Sequence, residues 1–145
     1  METLVSLTRL LADLALGVWL GAMVFFSFVT SPAAFTHLDQ VDATRLVTGV
    51  FPQYHLVGVV LGVVGLIGAA ATGMLAGFDF FILTTLVAGG VAVAAAAYAR
   101  WVLVPRVEAA EESGEGGLHE YSREVVLLNS LAVLGVAVAF VGLHF

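Results

Sequence analysis

The sequence predicts an all-α, polytopic membrane protein: a bundle of four transmembrane helices with a short amphipathic helix between the first two. Three observations predict it. The 145 residues are 61% hydrophobic and 11% charged, where a soluble domain is roughly 45–50% apolar and about 25% charged. Mean hydropathy is +1.06. Four apolar stretches, each near the roughly 20 residues that cross a bilayer, use up most of one domain's length.

Span one is expected over residues 4–30, its most apolar part at 14–29. It lacks the basic start of a secretory signal, and its apolar run outlasts a signal core, so it reads as a retained span. Glu2 stands where N-myristoylation needs glycine, and no C-terminal Cys box follows. Pro32 is expected to end the helix, because the residue before a proline is pushed out of the helical region. Arg9 and Asp13 lie one turn apart, about 6 Å of rise, and are expected to pair.

Between 39 and 51 the pattern changes. Ala43, Leu46, Val47, Val50 and Phe51 follow helical spacing, with Asp39, Asp42 and Arg45 largely opposite. A short amphipathic helix lying along the membrane surface is expected. Span two is expected over 54–76, closed by a tight turn at Gly77-Phe78-Asp79. Span three is expected over 80–104, stopping before Pro105. The connection 105–122 is acidic: from Pro105 to Glu124 there are two Arg and six Glu, a balance that anionic lipid repels. Arg106–Glu112 reads as a helical extension into water and Ser113–Gly117 as a flexible linker. Span four is expected over 124–143, with Ser122 as its N-cap.

Small residues recur at helical spacing: Gly17 and Gly21 in span one, Gly58, Gly62, Gly65, Ala69 and Gly73 in span two, Gly90, Ala94 and Ala97 in span three. Such faces let helices approach closely in lipid. One of them could also seat a second copy or a membrane-protein partner.

The basic residues are five arginines. Arg45, Arg100, Arg106 and Arg123 fall on one side of the predicted topology and Arg9 on the other. The positive-inside rule places the long connections in the cytoplasm and both termini outside, in a multi-pass cell-membrane protein. No basic face exists for nucleic acid, and the lipid bilayer is the expected partner. The chain has no Cys, which excludes disulfides, thiolate chemistry and Cys-ligated metal.

Polar residues gather at one end of all four spans: Ser27, Thr30 and Ser31; Gln53, Tyr54 and His55; Tyr98, Arg100 and Trp101; Arg123, Asn129 and Ser130. The other halves offer little beyond Asp13, Thr72, Thr84 and Thr85. A cytoplasm-facing polar vestibule is expected from Ser27, Tyr54, His55, Arg100, Ser122 and Asn129. Arg100 is the sharpest of these. An arginine at mid-depth costs about 2.5–3.5 kcal/mol on insertion scales, so it must snorkel, pair or bind an anion. Asn129 reads first as interhelical glue.

No nucleophile motif, phosphate-binding loop or carboxylate pair appears within a span, so no enzyme activity, metal or cofactor is expected. The histidines leave one alternative open, a redox protein with b-type haem on His55 and a second imidazole. His119 with Glu115 and Glu120 is a further, weak metal set. A pure packing or scaffold subunit is the third reading.

Trp19-Leu-Gly21, Phe25-Phe-Ser-Phe-Val29, Pro32 and Phe35, then Val50-Phe-Pro-Gln-Tyr54, carry a resemblance. So do Arg100-Trp101, Pro105-Arg106, His119, Ser122 and Asn129. Together they resemble the transmembrane protein 205-like family (domain of unknown function 4149) over nearly the whole chain. The gap from Arg100 to Pro105 is longer than that pattern by one residue, and Asn129 stands further from His119 than the pattern has it. The resemblance implies a four-span integral membrane protein and names no biochemical activity.

Overall fold

The computed structural model describes residues 1–114 and 116–145, and these contain helices and no strand. Four helices are long and apolar enough to cross a membrane: α1 (Glu2–His37), α2 (Gln40–Ala76), α3 (Phe80–Glu112) and α5 (Ser122–Gly142). A single turn, α4 (Gly117–Glu120), precedes α5. The protein is a multi-pass membrane protein. Each span packs on its neighbour in sequence, and α1 closes the ring against α5.

The helices run longer than the prolines predict. α1 passes through Pro32, and α3 passes through Pro105. In both, a π turn ends just before the ring: Phe26–Thr30, where Ser31 N–H donates to Phe26 O, and Ala99–Leu103, where Val104 N–H donates to Ala99 O. A proline has no N–H and crowds the carbonyl four residues back. A wider turn directly before it relieves that crowding, so the helix continues.

The 39–51 stretch is helical, but it is the first part of α2 rather than a separate helix along the surface. Asp39 caps it, its Oδ1 accepting from Asp42 N–H at 2.8 Å, and Pro52 lies inside the same helix. At 37 residues α2 is about 55 Å long, well beyond the ~30 Å hydrocarbon core. The apolar side of its extension is buried on protein instead of lipid. Ala43, Val47 and Phe51 pack with Ala34 of α1 and Val104 of α3, flanked by Leu118 and Val125. Gly77 (φ +102°) ends α2, and Asp79 Oδ1 caps α3 by accepting from Ile82 N–H at 2.8 Å. Ser122 is the first residue of α5 and not its cap: its hydroxyl donates to His119 O at 2.9 Å. Part of the 113–117 linker falls on Glu115, outside the described residues.

The interior is built from small residues and the exterior from large ones. Ala12, Ala69, Ala92 and Ala139 are fully buried, while Leu4, Leu14, Val60, Ile67, Val87 and Leu134 face outward. Water does not tolerate so much apolar surface, and lipid does. On α2 the packed face is Gly58, Gly62, Gly65, Gly68, Ala69 and Gly73. On α3 it is Gly89, Ala92, Ala95, Ala96 and Ala99 rather than Gly90, Ala94 and Ala97. In so alanine-rich a stretch small residues lie all round the helix, and spacing alone does not select a side.

At the end opposite the arginine-rich one, Arg9 is exposed and makes no ion pair among the described residues. Asp13 instead meets His144, Oδ1 to Nε2 at 3.7 Å. Thr8 and Thr72 share a hydrogen bond of 2.8 Å across α1 and α2. Thr85 donates to Ala139 O at 3.0 Å across α3 and α5.

A Cβ on Gly68 would stand 2.8 Å from Thr8 O and 2.9 Å from Ala12 N, both backbone atoms that cannot step aside. Gly68→Ala is therefore expected to destabilise the detergent-solubilised protein by about 1–3 kcal/mol. Gly21 has nothing within 4 Å of such a Cβ, and Gly21→Ala should change stability by less than about 0.5 kcal/mol. Thermal unfolding of the two variants side by side checks this.

Candidate functional site

Three spans meet in one polar network at the arginine-rich end. The Tyr54 hydroxyl of α2 donates to Asn129 Oδ1 of α5 at 2.7 Å. Asn129 Nδ2 donates to Ser27 Oγ of α1 at 2.8 Å. Asn129 is thus the joint between α1 and α2. Its amide has one further donor and one further acceptor position to offer.

Local structure places each group. Ser27 lies in the π turn Phe26–Thr30. A turn that holds five residues brings two adjacent side chains inward. The Phe26 ring packs on Tyr54 and Phe51, at centroid distances of 4.6 and 6.2 Å, while Ser27 reaches Asn129. Tyr54 and His55 follow Pro52 by less than a turn on α2. The His55 ring is edge-on to Tyr54 at 5.0 Å and tilted against Phe51 at 5.7 Å. It makes no hydrogen bond among the described residues.

Beneath the network lies a small cavity lined by Trp19, Met23, Tyr54, His55, Ala95, Asn129 and neighbouring alanines. Its volume to a water-sized probe is about 10 Å³, room for about one water. Ser27, Tyr54, His55 and Asn129 are therefore brought together. Arg100 stands beside this group in the π turn of α3, outside the cavity lining. Ser122 is exposed and bonded to His119, apart from the site. Trp19 and Met23 form part of the cavity wall that sequence reasoning did not name. A signal was present: Trp19 is the tryptophan inside span one, and Gly58 and Gly62 of span two leave room for its indole. A Cβ on either would stand 2.6 Å from that ring.

The ring contacts of His55 are with Phe51 and Tyr54, not with a second histidine. His37 and His119 lie ten residues beyond Ser27 and Asn129 respectively, roughly 15 Å along their chains if helical throughout. His144 is at the opposite end against Asp13. The proposed set of His119, Glu120 and Glu115 falls in part on Glu115, outside the described residues. Among the described residues no three His, Asp or Glu side chains come together to hold a metal.

An interhelical side-chain hydrogen bond in a membrane averages about 0.6 kcal/mol and reaches about 1.7 kcal/mol. Asn129→Leu removes two and is expected to cost about 1–3 kcal/mol; Tyr54→Phe removes one and should cost less. The double variant should cost little more than Asn129→Leu alone, because the Tyr54 bond is already lost. Unfolding of the three variants in one detergent measures that coupling.

Comparison with known families matches residues 14–116 to a family described as Domain of unknown function (DUF4149). That segment takes in Trp19, Ser27, Tyr54, His55 and Arg100 and ends before α5. Comparisons with curated proteins and with solved structures gave no match. With well over half of its length inside that match, the chain belongs to the DUF4149 family.

Proposed function

We propose that this protein is a non-enzymatic membrane protein that binds or passes a small polar solute at the Ser27–Asn129–Tyr54 network, with His55 beside it. The observation that carries this reading is the convergence of polar groups from different spans on one small cavity. Tyr54, His55 and Asn129 converge on a water-sized cavity with hydrogen-bonding capacity still unspent. The arginine distribution supports a cytoplasmic position for this end, with both termini outside. The order of the Trp19-x-Gly21, Phe51-Pro-x-Tyr54 and Arg100-Trp101 motifs supports a transmembrane protein 205-like place within the family.

A scaffold reading has one observation in its favour. Gly21 and Ala94 are exposed on the outer surface, Gly90 is partly so, and Gly21 and Gly90 have nothing near them. A partner helix could approach closely there.

Native mass spectrometry from mild detergent separates the two. The solute reading expects a small-molecule mass on the wild type that is absent from Asn129→Leu. A bare wild type that is recovered only with a second protein chain favours the scaffold. Orientation is tested independently, because the chain has no cysteine. Arg45→Cys should react with a membrane-impermeant maleimide in inverted vesicles and not in intact cells, and Glu2→Cys should show the reverse.

A further inference from the structure

Arg100 carries a charge that the rest of the fold does not balance. Its Nε is buried and has no hydrogen-bond partner among the described residues. It takes part in neither of their ion pairs, Arg45–Asp42 and His144–Asp13. Its guanidinium carbon stands 6.0 Å from the Trp101 ring centroid, the outer limit of a cation–π contact. That contact alone does not replace the hydration of a buried donor.

No carboxylate among the described residues stands within ion-pair distance of Arg100. Glu108, Glu111 and Glu112 lie two or more turns further along α3. Glu111 is already engaged, its Oε1 accepting from Leu118 N–H at 2.9 Å. The surroundings point outward instead. Arg100 is 20 residues from Phe80 at the start of α3, about 30 Å of rise, which is the thickness of the hydrocarbon core. The guanidinium is therefore level with the headgroups. Tyr98 and Trp101 on either side of it are 42% and 56% exposed, as in the aromatic belts at membrane interfaces. Below them Val87, Val91 and Ala94 continue an exposed apolar stripe down the same helix.

We propose that Arg100 binds a phosphate oxyanion at the membrane interface, supplied by a membrane phospholipid. The phosphate oxygens accept from the terminal NH₂ groups, the end-on fork that guanidinium offers and ammonium does not, while Nε–H stays buried behind them. The Trp101 indole flanks the headgroup, and an acyl chain runs down the Val91–Val87 stripe. This assignment stands apart from the solute reading, because Arg100 does not line that cavity.

The intact protein in mild detergent is delipidated, then offered dioleoyl phosphatidylglycerol, dioleoylglycerol with the same chains and no phosphate, or inorganic phosphate, and retained ligand is weighed by native mass spectrometry. The phospholipid should be retained and the diacylglycerol should not. Arg100→Gln should bind the phospholipid about tenfold or more weakly, the scale of a hydrogen bond to a charged group. Arg100→Lys should fall between the two, and Arg106→Gln should match the wild type. Equal retention by Arg100→Gln and wild type overturns the proposal. Should Arg100→Gln not fold, the wild type decides alone: equal retention of phospholipid and diacylglycerol overturns it. Arg100-dependent binding of inorganic phosphate without retention of phospholipid keeps the phosphate chemistry and overturns the lipid as its source.

Discussion

The closeness of α1 and α2 governs this bundle. Lipid does not press helices together as water does, so their association rests on contact between surfaces that fit. Gly68 brings α2 against the backbone of α1 at Thr8 and Ala12. Gly65 makes room for Leu16, and Gly62 and Gly58 make room for Trp19. The indole is the largest group in the interior, and it lies against the part of α2 where Gly58 and Gly62 carry no side chain. It then serves as the floor of the cavity beneath Tyr54 and Asn129. Close approach in the membrane's middle thereby sets the height and the size of the polar site at one end.

The second constraint is the backbone's need for partners. Within hydrocarbon every N–H and C=O must be satisfied by the chain itself, which makes a proline awkward. Here all three prolines lie at the same end, within helices, and two follow a π turn. Those two turns contain Ser27 and Arg100. The conformational adjustment that lets a helix continue through a proline is also what aims these side chains. It turns Ser27 toward Asn129 and leaves the Arg100 Nε buried beside the interface.

These constraints explain which features were legible in the sequence. Four spans are legible because crossing hydrocarbon demands length and apolarity together. Tyr54, Asn129 and Ser27 are legible as a group because polar residues at matched depth on neighbouring helices must find one another. The face of α3 is not legible, since an alanine-rich helix is small in every direction. Helix ends at Pro32 and Pro105 mislead for a different reason: local rules forbid an α-turn there, and a π turn is not an α-turn. The amphipathic pattern at 39–51 correctly marks a helix with one apolar side. It does not say whether lipid or protein covers that side, and Ala34 and Val104 come from distant parts of the chain. Depth alone groups Ser122 and Arg100 with the site. Depth fixes height in the membrane, and direction around the helix depends on packing.

The polar network lies between two apolar clusters of different construction. Below it, Trp19, Met23, Ala132 and their neighbours belong to the core of the spans, held by backbone contacts that a small displacement would break. Above it, Phe26, Phe51, Ala34, Val47 and Val104 form a separate cluster on helix extensions beyond the prolines. Both exclude water, and hydrogen bonds between them are electrostatically stronger than the same bonds in water. The clusters differ in what it costs to part them. Separating α1 from α2 at Gly68 opens the main core along its length. Moving the extension of α1 on its π turn disturbs Phe26, Ala34 and the smaller cluster they belong to, together with the Ser27 bond. On the solute reading proposed above, a molecule larger than water would meet less resistance on its way to Asn129 from the arginine-rich end than from the termini. The direction follows from where the glycines and the prolines lie, before any charge is considered.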